Sequence, residues 1–276
     1  MNLARARVLI TGAAGGIGSA IAAELLAGGA HVLLADMNAT ALAAVAARLS
    51  AASGRLDTAI VDLGDAASRS SLCRRAAGWG VNILVNNAGV NHFGLFGELA
   101  PAQLTQTITI NVLAPMLLVQ ELLPHLTSLP EAQVLNIGSV FGNIGYPGYT
   151  AYSASKFAIR GFSEALRREL ADTPVRVHYL APRATRTPIN PAAVEQMNAE
   201  LKAAMDPPAV VARAARLILE REAAATVVGW PEKLFARINA ALPGVVDGAI
   251  RRQLPIIQRY ARRQPGSNHM PGRHTA

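Results

Sequence analysis

The stretch RVLITGAAGGIG, Arg7 to Gly18, decides how the rest of the chain is read. A short β-rich run ends in Thr11 and a glycine turn. The turn opens a segment, GIGSAIAAELLAGG, whose helical spacing stops at Gly28-Gly29. Gly12 permits a tight exit from the strand, Gly16 removes a side chain where a pyrophosphate could approach the backbone, and Gly18 lets the helix pack closely on a sheet. The free N–H groups and dipole of that helix would face an anion. A second β-rich run, HVLLAD, ends at Asp36, 18 positions after Gly18. A carboxylate there can accept both ribose hydroxyls of a bound adenosine, and it repels a 2′-phosphate. By itself the glycine cluster is a tight turn and Asp36 a cap. Joined in this order they describe a dinucleotide site. No Lys or Arg lies in the turn or in DMNAT after Asp36, which favours NAD(H) over NADP(H).

The alternation continues along the chain. DTAIVD, NILVNNAG, AQVLNIGS, VRVHYLA and ATVVG read as strands. Helical patterns lie between them, one ending near Gly54, one over 101–126 with a bend expected at Pro115, one from YTAYSASK onward, and two near 191–205 and 209–221. The strands are apolar runs rather than alternating ones, as expected when both faces are covered. The fold class expected is α/β, a single doubly wound parallel sheet, Rossmann-like, with helices on both faces. The expected organisation is one domain over 1–230 with a substrate lid at about 187–207, an amphipathic helical extension over 231–263, and a disordered tail over 264–276.

Composition narrows the setting. The 276 residues are 51% hydrophobic and contain one cysteine, Cys73, so no internal disulfide can form. No secretory leader and no clean apolar run of membrane-spanning length stands out, and a cytoplasmic location is expected. The net charge is +8, but residues 251–276 hold six arginines and no acid, leaving +2 on the other 250 residues. A basic body would argue for nucleic acid; a basic tail does not, and no nucleic-acid partner is expected. His92, His125 and His178 show no ligand-like spacing with Cys or acids, and no metal is expected.

Tyr152 and Lys156 stand four apart in YSASK, on one face of a helix. A free tyrosine titrates near ~10. An ammonium about 4 Å away would stabilise tyrosinate by roughly 4 kcal/mol at an effective dielectric of about 20. Ser139 closes a strand and can hydrogen-bond a carbonyl or hydroxyl. Together with TGAAGGIG at 11–18, Asp62, NNAG at 86–89, Asn111 in the following helix, and Tyr152 placed 13 positions after Ser139, these residues resemble the short-chain dehydrogenase/reductase family over about residues 5–230.

That resemblance implies hydride transfer between a nicotinamide and a carbonyl/alcohol pair. Tyr152 would be the acid/base, Lys156 would lower its pKa and hold the nicotinamide ribose, Ser139 would orient the reacting oxygen, and Asn111 would keep a relay water behind Lys156. Thr11, Gly12, Gly15, Gly16, Ile17 and Gly18 would cradle the phosphates. Asp62, beside Leu63, would touch the adenine, and Asn87, Ala88 and Gly89 would line the cofactor. The family commonly forms homodimers or homotetramers, and a homo-oligomer is expected here. A 3-oxoacyl-thioester reductase and a non-catalytic dinucleotide-sensing scaffold are the alternatives.

Two segments depart from the family pattern. In LAPRATRTPIN, Leu180 to Asn190, Pro182 is kept but glycine is replaced by Arg183. Thr185 or Thr187 can take the family's carboxamide-binding role, Thr187 fitting the spacing better. Arg183 is expected to point toward the cofactor pyrophosphate or an acidic substrate group, or else into solvent. The pocket side looks apolar, with Phe93, Phe141 and Tyr146, and His92 is a candidate lining residue, so the expected substrate is lipid-like or steroid-like. The extension 231–263 is expected to pack over the active site or another subunit. Peripheral membrane contact through it is the less favoured reading.

Overall fold

The computed structural model describes residues 1–50, 55–187, 191–230 and 232–262, with Glu232 in its backbone only. The helix end near Gly54, part of the lid and the tail over 264–276 lie outside the described residues. The chain order begins β1 (Arg7–Thr11), α1 (Gly16–Ala27), β2 (His31–Asp36), α2 (Ala39–Ser50), β3 (Leu56–Ile60), α3 (Ala66–Trp79), β4 (Ile83–Asn86). It continues with α4 (Pro101–Ile108), α5 (Ala114–Thr127), β5 (Ala132–Ile137), α6 (Thr150–Glu169), β6 (Val175–Ala181), α7 (Ala192–Glu200), α8 (Pro208–Arg221) and β7 (Ala225–Val227). The extension supplies α9 (Glu232–Ala241) and α10 (Pro243–Ala261).

The seven strands form one sheet in the order β3-β2-β1-β4-β5-β6-β7. Every pairing is parallel. The order reverses between β1 and β4, so the loops after these two strands diverge and leave a crevice at their carboxyl ends, where such sheets bind ligands. Branched residues such as Val8, Ile10, Val32, Leu34, Ile83 and Val85 are fully buried against α1, α2 and α8. Leu9, Leu33 and Leu84 face the opposite layer with Leu118, Leu122 and Leu126 of α5. Coverage on both faces explains the unbroken apolar strands.

Pro101–Thr127 is long and apolar enough by length and composition to cross a membrane, with a mean hydropathy of 1.4. Its Leu118, Leu122 and Leu126 are buried in the sheet-packing core. The expected bend at Pro115 takes the form of a π-helical turn, Thr109–Leu113, just ahead of it, closed by the Ala114 N–H donating to Thr109 O. Pro115 sits in the first turn of α5, directly after the π turn, so its missing N–H falls where the helical bonding pattern already changes.

Candidate active site

The glycine turn is tied to the end of β4 by side chains. The buried Thr11 hydroxyl accepts from the Asn87 and Ala88 N–H groups at 3.1 and 3.2 Å. The Asn87 amide in turn donates to the Thr11 and Gly12 carbonyls, both at 3.0 Å. Gly12 has φ +63°, and a Cβ there would lie 2.7 Å from Ala88 Cα, so no other residue fits the crossing of these two loops. Asp36 fastens the turn from the other side: Oδ2 accepts from Ala14 N–H and Oδ1 from Asn38 N–H, each at 3.0 Å. Each carboxylate oxygen keeps a lone pair for a further donor. Helix α1 starts at Gly16 behind Gly15, with no side chain capping its first N–H groups. Open donors, a close glycine turn and a carboxylate at the next strand end fit a dinucleotide. Asp62 is exposed past β3, accepting from Gly64 N–H at 2.8 Å, whereas Leu63 beside it is buried in the core.

Asn111 lies in the π turn and is buried. Its Oδ1 accepts from Val90 N–H at 2.8 Å. Its Nδ2 donates to Val90 O at 2.9 Å and to Ser155 Oγ at 3.0 Å. It therefore joins the loop after β4 to the helix that carries Tyr152 and Lys156. Gly89 lies between the groups: a Cβ there would stand 3.3 Å from Asn111 Oδ1 and 3.8 Å from Lys156 Nζ. A second, wholly buried polar chain holds the same helix. Asn86 donates to Asn136 Oδ1, and Asn136 donates to Ser163 Oγ, both at 2.9 Å. The sequence reading missed Asn136 and Ser163, whose pairing across β5 and α6 has no local sequence signal.

Ser139 caps the short 3-10 turn Val140–Gly142, accepting from Phe141 N–H at 3.1 Å. The Tyr179 hydroxyl donates to Ser139 O at 3.3 Å. A Cβ on Gly138 would lie 2.2 Å from the Tyr179 ring, so this glycine is dictated by the tyrosine under the Ser139 loop. Tyr179 was not anticipated either; it reads in sequence as one more apolar strand residue.

Tyr152, Ser139 and Lys156 all line one cavity. The titration behaviour differs from expectation. Burial pushes the Tyr152 phenol up to about 12, with the Ser139 hydrogen bond pulling the other way. Lys156 does not lower it here. Its ammonium donates to Ile137 O at 3.0 Å and lies 5.6 Å from the Tyr152 ring centroid, and burial pulls it down to about 8. For both groups desolvation is the largest effect.

A stability measurement checks the lysine. Its folded pKa of about 8 lies below the unfolded 10.5, so between these values the unfolded chain binds more protons. The penalty of burying the ammonium is full below pH 8 and fades as pH rises to 10.5. Lys156→Met should therefore raise the urea midpoint near neutrality, with the gap closing on the alkaline side. A gap independent of pH would show that the site does not disfavour the charged amine.

The cavity holds about 420 Å³. Its floor is the Ser139–Tyr152–Lys156 group, with Ile17, Asn87, Gly89, Pro182, Thr185 and Thr187 on the cofactor side. Phe141 and Tyr146 stack at 4.9 Å with planes 8° apart, Tyr152 meeting Phe141 edge-on at 6.4 Å. The lid adds Val194, Met197 and Leu201, and the extension closes the far wall with Phe235, Val246, Ala249, Ile250 and Gln253. The Tyr146 hydroxyl donates to Gln253 Oε1 at 2.6 Å, and Asn239 Nδ2 donates to Asn143 O at 2.9 Å. Ile257 is fully buried beside Val194, Met197 and Tyr149. The described part of the extension thus packs over this cavity.

Three residues stand elsewhere than expected. His92 is not at the cavity; its ring is held by Gln106 Oε1 at 3.0 Å and Gln103 Nε2 at 3.4 Å, on α4. Phe93 is buried behind the wall against Tyr149, 5.0 Å between centroids. Arg183 lines the cavity beside Pro182, and its side chain is held by the far end of the lid. Its guanidinium grips Asp206 through Nε–Oδ2 at 2.8 Å and Nη2–Oδ1 at 2.6 Å, and Nη1 donates to Trp230 O at 3.2 Å. Arg183 and Asp206 side chains are 17% and 11% exposed. Thr185 bridges to Asp206 as isolated β-structure, and its hydroxyl donates to Arg183 O at 2.9 Å, while Thr187 is the threonine left facing the cavity without that bond. The pair fastens the far end of the lid to its near end.

The family model described as short chain dehydrogenase matches residues 6–198. "Nodulation protein G" of Rhizobium sp. (strain N33) is 36% identical over 178 residues, 64% of this chain and 71% of that protein. A short chain dehydrogenase/reductase from Burkholderia phymatum, solved in complex with NAD, superposes with a TM-score of 0.81 at 22% identity, covering 89% of this chain and 96% of that one. A short-chain dehydrogenase from Sphingobium yanoikuyae in complex with NADPH gives 0.75 at 26% identity, covering 88% and 95%.

Proposed function

The chain belongs to the short-chain dehydrogenase family, an NAD(P)-dependent oxidoreductase by that membership, and we propose that it interconverts an apolar secondary alcohol and its ketone with NAD(H). The observation that carries this is the single cavity in which Ser139, Tyr152 and Lys156 meet a wall of Phe141, Val194, Met197, Leu201, Val246 and Ile250. When bound, the nicotinamide supplies or accepts the hydride. The chain's own groups do the rest. Ser139 holds the substrate oxygen by hydrogen bond, and Tyr152 moves a proton to or from that oxygen. Lys156 and Asn87–Gly89 hold the cofactor ribose and ring, and Thr187 the carboxamide. The lid and extension exclude water and orient the carbon skeleton. Proton transfer at neutral pH requires the Tyr152 pKa to fall from about 12, and the Lys156 ammonium, turned from Ile137 O toward the phenol, has the sign to do that.

Solved neighbours carry both NAD and NADPH, so they do not choose the cofactor. Asp36 supports NAD(H): Ala14 N–H and Asn38 N–H hold its carboxylate at the end of β2, and a carboxylate there would accept ribose hydroxyls and repel a 2′-phosphate.

The test is steady-state turnover of a homologous series of methyl ketones and secondary alcohols with both cofactors. The expected result is NAD(H) preference and a kcat/KM that rises about fourfold per added methylene until the cavity fills. Asp36→Ala should narrow the preference by weakening NAD(H). A flat response to chain length would overturn the apolar reading, and faster NADPH turnover would overturn the cofactor reading.

A further inference from the structure

The extension seals the cavity with one side of its helices, but it leaves other apolar residues outside. Trp230 is 68% exposed, Leu234 41%, Phe235 42%, Leu242 62% and Val245 62%. Trp230 lies just ahead of α9, Leu234 and Phe235 are on it, Leu242 joins it to α10, and Val245 is in the first turn of α10. Phe235 belongs to both groups: it lines the cavity and is open to the outside. At Phe235 the wall of the substrate site therefore reaches the surface, beside this exposed apolar group. Residues 230–262 also carry six Lys or Arg against two acids, Glu232 and Asp247. Lys233, Arg237, Arg251 and Arg252 are exposed.

We propose that this face of the extension, Trp230, Leu234, Phe235, Leu242 and Val245 with Lys233, Arg237, Arg251 and Arg252, docks on an anionic lipid bilayer and presents the Phe235 side of the cavity to it. The proposal rests on the apolar-substrate reading above. Apolar side chains flanked by cations on a helix are what an interfacial helix offers an anionic surface. Tryptophan is favoured at the headgroup level, where its ring is half in and half out of water. A second copy of the chain is the poorer fit. In a two-fold contact the patch meets its own copy, which brings both sets of Lys233, Arg237, Arg251 and Arg252 to one interface. Nucleic acid is poorer still, because exposed Leu242 and Val245 gain nothing from a phosphate backbone. For an apolar alcohol or ketone dissolved in acyl chains, a cavity with its Phe235 side on the bilayer removes the passage through water.

The experiment is co-sedimentation of the full chain with phosphatidylcholine vesicles, with and without phosphatidylglycerol, at low and high salt. The protein should pellet with the phosphatidylglycerol vesicles and be released by salt. Lys233→Gln with Arg237→Gln should weaken partitioning about 25-fold, some fivefold for each cation. Leu242→Asp with Val245→Asp should abolish it while turnover of a water-soluble ketone in buffer stays unchanged. Absence of pelleting, or equal pelleting with neutral vesicles, would overturn the proposal. So would a Leu242→Asp/Val245→Asp variant that dissociates an oligomer in sedimentation velocity yet still pellets. Pelleting is read on protein mass without substrate, and Tyr152→Phe should pellet like the native chain, so a failed turnover assay and a failed docking surface are told apart.

Discussion

Tyr152→Phe should lower kcat by about 10²–10⁴ while leaving a folded chain that still binds its dinucleotide. The substitution removes one oxygen and keeps the ring. The ring's packing therefore survives: the edge contacts to Phe141 and Tyr149, at 6.4 and 6.3 Å between centroids, are unchanged. What goes is the group that exchanges a proton with the substrate oxygen, and the Ser139 hydrogen bond to it. Ser139 keeps its bond from Phe141 N–H and so keeps its position. The check is kcat in the ketone series beside NADH affinity by fluorescence. Near-native kcat would remove Tyr152 from the chemistry, whereas a lost NADH affinity would mean that the cavity floor had collapsed.

Asp206→Ala should destabilise the fold by about 3 kcal/mol and raise the substrate KM. The carboxylate accepts two bonds from Arg183, and both partners are largely buried, so its removal takes the counter-charge from a largely desolvated guanidinium. In a protein of this size that corresponds to a fall in Tm of roughly 6–12 °C. Arg183→Leu should do similar damage by stranding Asp206. The double change Arg183→Leu/Asp206→Leu should be milder than either single one, because replacing both ends of a buried pair with apolar groups removes the stranded charge. KM should follow the singles, since the pair joins the ends of the segment bearing Val194, Met197 and Leu201. Singles that leave Tm and KM alone, or a double worse than their sum, would show that the pair does not hold the lid.

The sheet and the cofactor turn were legible because their causes are local. RVLIT followed by GAAGGIG needs only neighbouring residues to specify strand, turn and helix, and β1, α1 and β2 begin and end where those patterns do. Tyr152 and Lys156 were legible for the same reason: four positions on a helix share a face. What was not legible depends on partners far along the chain. Arg183 reads as a spare positive charge until Asp206, 23 positions later, folds back onto it. His92 follows NNAGV into what looks like the pocket, but Gln103 and Gln106 on α4 draw its ring away. The π turn leaves no periodic trace, so Pro115 looked like the whole cause of a bend that it shares with Thr109–Leu113. The balance at Tyr152 is likewise not local: how deeply the fold buries Tyr152 and Lys156, and the turn of the ammonium toward Ile137 O, are set by the surrounding elements.

The order of the chain also sets an order of birth. Every strand of the sheet and every group at the cavity floor is encoded before residue 228, and the residues that finish the far wall, Val246 to Gln253, come after. Because domains form as they emerge from the ribosome, the nucleotide-binding half is ready before the enclosure for its substrate exists. Selectivity is then shared between walls made early, Phe141, Met197 and Leu201, and walls made late, which lean on the early ones through Tyr146 and Gln253.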